Sequence, residues 1–125
     1  MLHEMRLKLE EFENIKYNNK ILEVRLNDQK RKQINVEDEI IFYKFPELNQ
    51  SILVKVEKIY CFLSFEQLYD SFPLEYFGYS NLDRNEILNR IYSIYSPNQE
   101  KGNGVIAIMF KIEDIEYSLN NNTVK

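Results

Sequence analysis

The apolar run at 104–110 constrains the fold more than any other part of the chain. Gly104 is followed by Val-Ile-Ala-Ile-Met-Phe, with no polar residue among them. A short run that never alternates is typical of a strand in the middle of a sheet, where both faces are covered. The sequence therefore predicts a central strand here, with other elements packed on its two sides.

Four other segments have the composition or the alternation of strands. In the clearest, Leu22, Val24 and Leu26 point one way while Glu23 and Arg25 point the other. Strands are predicted at 5–9, 20–26, 39–43 and 51–60, and helices at 10–18, 64–71 and 81–96.

These elements predict an α+β fold. Its centre is a small five-stranded, mostly antiparallel sheet that curls into a partly closed barrel, with helices inserted and flanking it. The 125 residues have the size of a single domain. We expect its core at about 5–112 and a C-terminal tail over 113–125. No apolar segment is long enough to span a membrane.

The scarcity of histidine and cysteine excludes several classes of site. His3 and Cys61 are the only residues of their types, so a zinc site or a Ser-His-Asp or Cys-His centre lacks its components. There is no glycine-rich phosphate loop. We expect no metal and no cofactor. Cys61 lies in an apolar run, which predicts a buried thiol, and one cysteine that cannot form an internal disulfide indicates the cytoplasm.

The charge is unevenly distributed along the chain. The net charge is −4, yet residues 16–32 hold six Lys or Arg residues against two acidic ones, a local charge of +4. A basic patch on an acidic chain favours a selective anionic ligand over indiscriminate nucleic-acid binding.

Within this basic segment, Glu23 and Arg25 share one face of the predicted strand, with Cβ atoms about 7 Å apart. Lys20 has the opposite parity, so it can join them only if the chain turns at 19–20. Such a Glu–Arg pair is commonly a solvated surface pair worth less than about 1 kcal/mol. The spacing alone leaves both interpretations open.

The order of several motifs resembles the ASCH domain, a family with a PUA-like fold. Residues 18–25, Asn-Asn-Lys-Ile-Leu-Glu-Val-Arg, resemble its GxKxxExR signature, with Asn18 in place of Gly. Residues 26–31 are similar to the LNDxKR continuation of bacterial members, and residues 34–42 to the family's IxVGDxIxF motif. The segments 95–97 and 104–108 resemble the closing helix and last strand.

The resemblance covers nearly the whole chain and implies a five-stranded PUA-like β-barrel with a cleft. The signature Lys, Glu and Arg are expected to converge there on RNA, a nucleotide or a modified nucleoside. The implied ligand-binding residues are Lys20, Glu23 and Arg25, supported by Asn27, Lys30 and Arg31. Among aromatic residues that could stack on a base, Phe77 and Tyr79 lie in a predicted loop beside the cleft.

Three alternatives remain at this point. The same scaffold could carry a hydrolase, either an N4-acetylcytidine-type amidohydrolase or a ribonuclease, with Lys20 and Glu23 as catalytic residues. In that case Lys20 would act through a depressed pKa, or Glu23 as a base with a raised pKa. The amidohydrolase branch has Thr at the position of Glu23 and a distant Glu, for which residues 78–80 offer no carboxylate. The charged residues could also form a static ion network, or the chain could be a protein-interaction module.

Overall fold

The structure, a computed structural model, describes residues 1–117, with side chains as far as Ile115. Its strands are β1 (Leu2–Lys8), β2 (Leu22–Leu26), β3 (Glu39–Phe45), β4 (Gln50–Phe62) and β5 (Val105–Tyr117). Its α-helices are α1 (Leu9–Tyr17), α2 (Phe65–Asp70), α3 (Arg84–Ile94) and α4 (Pro97–Asn103). Two 3-10 turns, Arg31–Gln33 and Leu74–Phe77, complete the elements within this part of the chain.

The five strands form one mixed sheet in the order β1-β3-β4-β5-β2. β1 pairs with β3 in parallel, and the other three pairings are antiparallel. The predicted α+β class and the mostly antiparallel five-stranded sheet are therefore confirmed. The sheet curls into a half-barrel that stays open, because β1 and β2 form its two edges within residues 1–117.

The long strands β4 and β5 provide the curvature. Their register shifts between Leu53 and Val54 and again between Val56 and Lys58. Such irregularities bend a strand and increase its twist. β5 is buried on both faces from Val105 to Ile108, as the apolar run predicts for a central strand.

Two apolar cores lie on the two faces of the sheet. The first receives Phe12 and Ile15 from α1 and the buried residues Met5 and Leu7 of β1. The alternation of β1, in which every second residue is buried, directs these side chains inward. The second core is covered by α2, α3 and the 3-10 turn Leu74–Phe77. They contribute the fully or nearly fully buried residues Phe65, Leu68, Phe77, Ile87 and Ile91. These helices form one wall of the cavity described below.

The structure corrects three predictions. β5 continues to Tyr117, so residues 113–117, assigned to the tail, belong to this strand, and residues 114–117 pair with β4; residues 118–125 lie outside the described residues. The helix predicted at 81–96 ends at Ile94, and Pro97, just beyond its predicted end, begins a further helix, α4, because Ser96 and Gln99 form a capping box and proline fits the first helical turn. Cys61 is exposed rather than buried. None of the helices within residues 1–117 is both long and apolar enough to cross a membrane.

Candidate functional site

A tight turn between α1 and β2 places Lys20 beside the first residues of β2. Asn19 adopts a left-handed conformation with φ of 58°, which asparagine tolerates better than most residues. The backbone N–H of Lys20 then donates to the carbonyl of Asn14 at 3.1 Å, and the Lys20 residue is only 4% exposed. The chain therefore turns at 19–20, which was the condition for Lys20 to join Glu23 and Arg25.

The side chains of Lys20, Glu23 and Arg25 converge. Lys20 Nζ lies 2.8 Å from Glu23 Oε1, and Arg25 Nε donates to Glu23 Oε2 at 2.6 Å. Arg25 Nη2 also donates to the backbone carbonyl of Arg6 on β1, at 2.7 Å. Because the Glu23 side chain is only 5% exposed, these contacts are not a solvated surface pair.

A second carboxylate, Glu11, belongs to the same cluster. It lies in the first turn of α1, and Lys20 Nζ donates to its Oε1 at 2.5 Å. The hydroxyl of Tyr79 donates to the other oxygen of Glu11. The sequence gives no signal for this role, since acidic residues in a first helical turn are explained by the helix dipole.

The electrostatics of the cluster fix its charge states. Burial alone would lower the pKa of Lys20, but the carboxylates of Glu23 and Glu11 outweigh it and raise that pKa above its usual value. Burial alone would raise the pKa of Glu23, but Lys20 and Arg25 outweigh it and hold that pKa at about 2. Lys20 is therefore an ammonium and Glu23 a carboxylate at neutral pH. The depressed pKa considered for Lys20 and the raised pKa considered for Glu23 are both wrong.

The cluster forms the polar end of a cavity of about 490 Å³ between β2 and α3. Glu11, Lys20, Glu23 and Arg25 all line it. The rest of its lining is largely apolar and aromatic and includes Tyr69, Phe77, Tyr79, Ile87, Ile91 and Tyr95, together with the charged residues Arg6, Lys8, Glu10 and Arg90. Of the two aromatic residues proposed for base stacking, Phe77 is 2% exposed and belongs to the core, while Tyr79 is half-buried at the cavity.

Gly78 packs directly against the backbone turn that carries Lys20. It has φ of 84°, and a Cβ atom built on it would lie 2.8 Å from Asn14 Cβ and 2.9 Å from Lys20 Cβ. No side chain fits that space without movement of α1 or of the Lys20 turn. The residue types of segment 77–79 thus contribute to the position of Lys20 as well as to the cavity wall.

The supporting residues implied by the resemblance are divided between two places. Lys30 and Arg31 line a second cavity of about 500 Å³, to which Arg25 also contributes. Asn27 lines neither cavity, and its Nδ2 lies 3.7 Å from Cys61 Sγ. The described part of the chain contains no group of three or more His, Cys, Asp or Glu residues arranged to hold a metal.

Comparisons with known proteins give the family and support the fold. The family model described as the ASCH domain matches residues 5–116. No curated protein matches the chain.

Among solved structures, the hypothetical protein PH0355 is 32% identical with a TM-score of 0.80, over 90% of this chain and 100% of that one. Protein PF0455 from Pyrococcus furiosus is 30% identical with a TM-score of 0.69, over 91% and 99% of the two chains. The crystal structure of ASCH from Zymomonas mobilis has a TM-score of 0.62 at 12% identity, over 94% of this chain and 73% of that one. At that identity the likeness concerns the fold, and it supports the PUA-like architecture.

Proposed function

This chain belongs to the ASCH domain family, and from that premise we propose that it binds RNA, a nucleotide or a nucleoside in the cavity at Lys20, Glu23 and Arg25. One observation carries the proposal: the buried side chains of Lys20 and Glu23 and the partly buried side chain of Arg25 meet in the lining of a cavity that is otherwise largely apolar and aromatic. A mostly apolar cavity with a few fixed polar groups is the usual form of a small-molecule site.

The dimensions and chemistry of the cavity suit a nucleoside. Its volume of about 490 Å³ lies within the range of ligand sites. Arg25 presents a planar fork of donors that matches the acceptors on a base edge or phosphate, and Glu23 offers acceptors for an exocyclic amine. Tyr79 and Tyr95 provide aromatic surface in the same cavity. Because Lys20 and Arg25 are already neutralised by carboxylates, this cavity favours polar recognition of a base over the capture of a free anion.

The test is a thermal-shift screen with the four ribonucleosides, N4-acetylcytidine and a short RNA at millimolar concentration. A ligand that binds only the folded state raises the melting temperature by mass action. Arg25→Lys keeps the charge but loses the planar fork, so we expect affinity to fall by about tenfold.

Arg84→Lys is the matched control. Arg84 is also paired with carboxylates, Asp70 and Glu66, but it lines neither cavity. The proposal is wrong if no ligand shifts the melting temperature, or if the two Arg→Lys variants bind equally well.

A hydrolase is the second candidate, favoured by the position of Glu11. This carboxylate lines the cavity beside the Lys20 ammonium. Glu11 would accept a proton from the attacking water and return it to the N4 nitrogen as the C–N bond breaks. Lys20 would stabilise the negative charge that develops on the amide oxygen of N4-acetylcytidine. The expected products are acetate and cytidine, and Glu11→Gln should abolish turnover while the nucleoside still binds. A ribonuclease would instead cleave the short RNA.

A further inference from the structure

A second cavity of about 500 Å³ adjoins the first. Arg6 and Arg25 line both cavities, so the two share a boundary at the point where the Arg25 guanidinium donates to the backbone carbonyl of Arg6. The remaining charged residues of the second cavity are Lys30, Arg31 and Glu4. Four cationic side chains therefore face one carboxylate there.

The pairing of these charges differs between the two cavities. In the first, Lys20, Arg25 and Arg90 each contact a carboxylate of the cavity lining. In the second, Arg6 has no ion pair with the side chains of residues 1–115 and lies over the Phe45 ring, with its Cζ atom 5.7 Å from the centroid. Lys30 is exposed and likewise has no ion pair in the described part of the chain.

Arg31 is held at this surface by its neighbours. Its Nη1 lies 3.4 Å from Asp28 Oδ2, and its backbone N–H donates to Asp28 Oδ1 at 3.0 Å. Its side chain is 15% exposed, and its buried Nε atom has no hydrogen-bond partner among the described residues. The single carboxylate, Glu4, accepts a hydrogen bond from the Tyr43 hydroxyl at 3.2 Å. The second cavity thus has a net excess of positive charge. In the first, the cluster of Lys20, Glu23 and Arg25 is neutralised by carboxylates, although Arg6 and Lys8 also line that cavity without an ion pair in the described part of the chain.

We propose that the ligand is a nucleotide, with its nucleoside in the first cavity and its phosphate in the second, next to Arg6, Lys30 and Arg31. This inference rests on the proposed function and adds the class of ligand. A phosphate group supplies the negative charge that the second cavity lacks, and arginine forks match phosphate oxygens in pairs. Arg25, at the boundary, is placed to contact both parts of such a ligand.

The experiment compares each ribonucleoside with its 5′- and 3′-monophosphates by isothermal titration calorimetry, with inorganic phosphate and a short RNA as further arms. We expect at least one monophosphate to bind about tenfold more tightly than its nucleoside. This advantage should shrink between about 50 mM and about 200 mM salt, since exposed charges are screened. Comparison of the 5′- and 3′-monophosphates shows which end of the ribose points from the first cavity to the second. The RNA arm tests whether a phosphodiester also binds.

Lys30→Ala should remove most of the phosphate advantage while leaving nucleoside affinity unchanged. Lys32→Ala is the matched control, because Lys32 is an exposed lysine on the same turn that lines neither cavity. Equal affinities for nucleosides and monophosphates overturn this inference but leave the proposed function intact. A phosphate advantage that survives Lys30→Ala also overturns it. If no nucleoside, nucleotide or RNA binds, the proposed function and this inference fail together.

Discussion

Neutralising Glu23 should remove a defined part of the acid sensitivity of this protein. The pKa of Glu23 is about 2 in the folded chain against 4.5 for an ordinary glutamate, because Lys20 and Arg25 together outweigh the effect of burial. A carboxyl whose pKa falls on folding stabilises the protein above its unfolded pKa, and it loses that contribution as pH falls through the folded value. The stabilisation by Glu23 is therefore lost between about pH 4.5 and about pH 2, and its full contribution to the free energy of unfolding is about 3 kcal/mol.

The variant Glu23→Gln keeps the shape of the side chain and removes its titration. Urea unfolding at about pH 6 and about pH 3 should show the wild-type free energy of unfolding falling by roughly 2 kcal/mol more than that of the variant. At about pH 6 the variant itself should be less stable by about 3 kcal/mol, because the buried Arg25 guanidinium loses its carboxylate partner.

The difference between the two proteins isolates Glu23. Asp38, whose pKa is also lowered to about 2 by hydrogen bonds from His3 and from the backbone of Asn35, contributes to acid unfolding in both. Asp38 belongs to a separate group of contacts, so its contribution should cancel. Parallel stability curves for wild type and Glu23→Gln across this pH range would refute the reasoning about the buried cluster.

Two further substitutions test how the cluster is held and what it is for. Gly78→Ala should lower the free energy of unfolding by about 2 kcal/mol and weaken ligand binding, because the new Cβ would meet Asn14 and Lys20 at a left-handed φ. Gly102 has no atom within 4 Å of such a Cβ, so Gly102→Ala should leave the unfolding free energy and binding nearly unchanged. Equal effects of the two variants in urea unfolding would contradict this. The triple variant Lys20→Met, Glu23→Leu, Arg25→Met should have a free energy of unfolding within about 2 kcal/mol of wild type, yet it should not bind nucleosides. Unimpaired binding by calorimetry would exclude the cluster as the site.

The parts of the site that sequence predicted are those that local geometry decides. Glu23 and Arg25 lie two residues apart on one strand, and a single turn at Asn19 brings Lys20 to them. The period of β1 and the unbroken apolar run of β5 likewise depend only on neighbouring residues. Short-range periodicity therefore sufficed for the fold class and the central strand, whereas the choice of Lys20, Glu23 and Arg25 as a site came from the resemblance to the ASCH signature.

The parts that sequence missed depend on distant contacts or on ambiguous local signals. Tyr79 and Glu11 are 68 positions apart in the sequence, and no periodic pattern predicts their contact. Pro97 suits the first turn of a new helix as well as the end of the preceding one, and the capping box at Ser96 decides between them. The prediction that Cys61 is buried was wrong for a different reason. Its neighbours Tyr60 and Phe62 pack against the second core, and the alternation of β4 places Cys61 on the opposite, exposed face.

Apolar residues in place of the buried cluster would give the fold about the same stability. Each charge in it loses its hydration, and the attraction between partners repays that loss only when the geometry is favourable, so apolar replacements are often as stable. What apolar residues cannot supply is a neutralised polar wall that borders a cavity with unpaired cations. A ligand that is polar but uncharged at one end and anionic at the other satisfies both cavities at once, whereas a free anion satisfies only the second and an uncharged nucleoside only the first. The contrast in charge across Arg25 is therefore the property that makes a nucleotide the ligand class with the best fit to these residues.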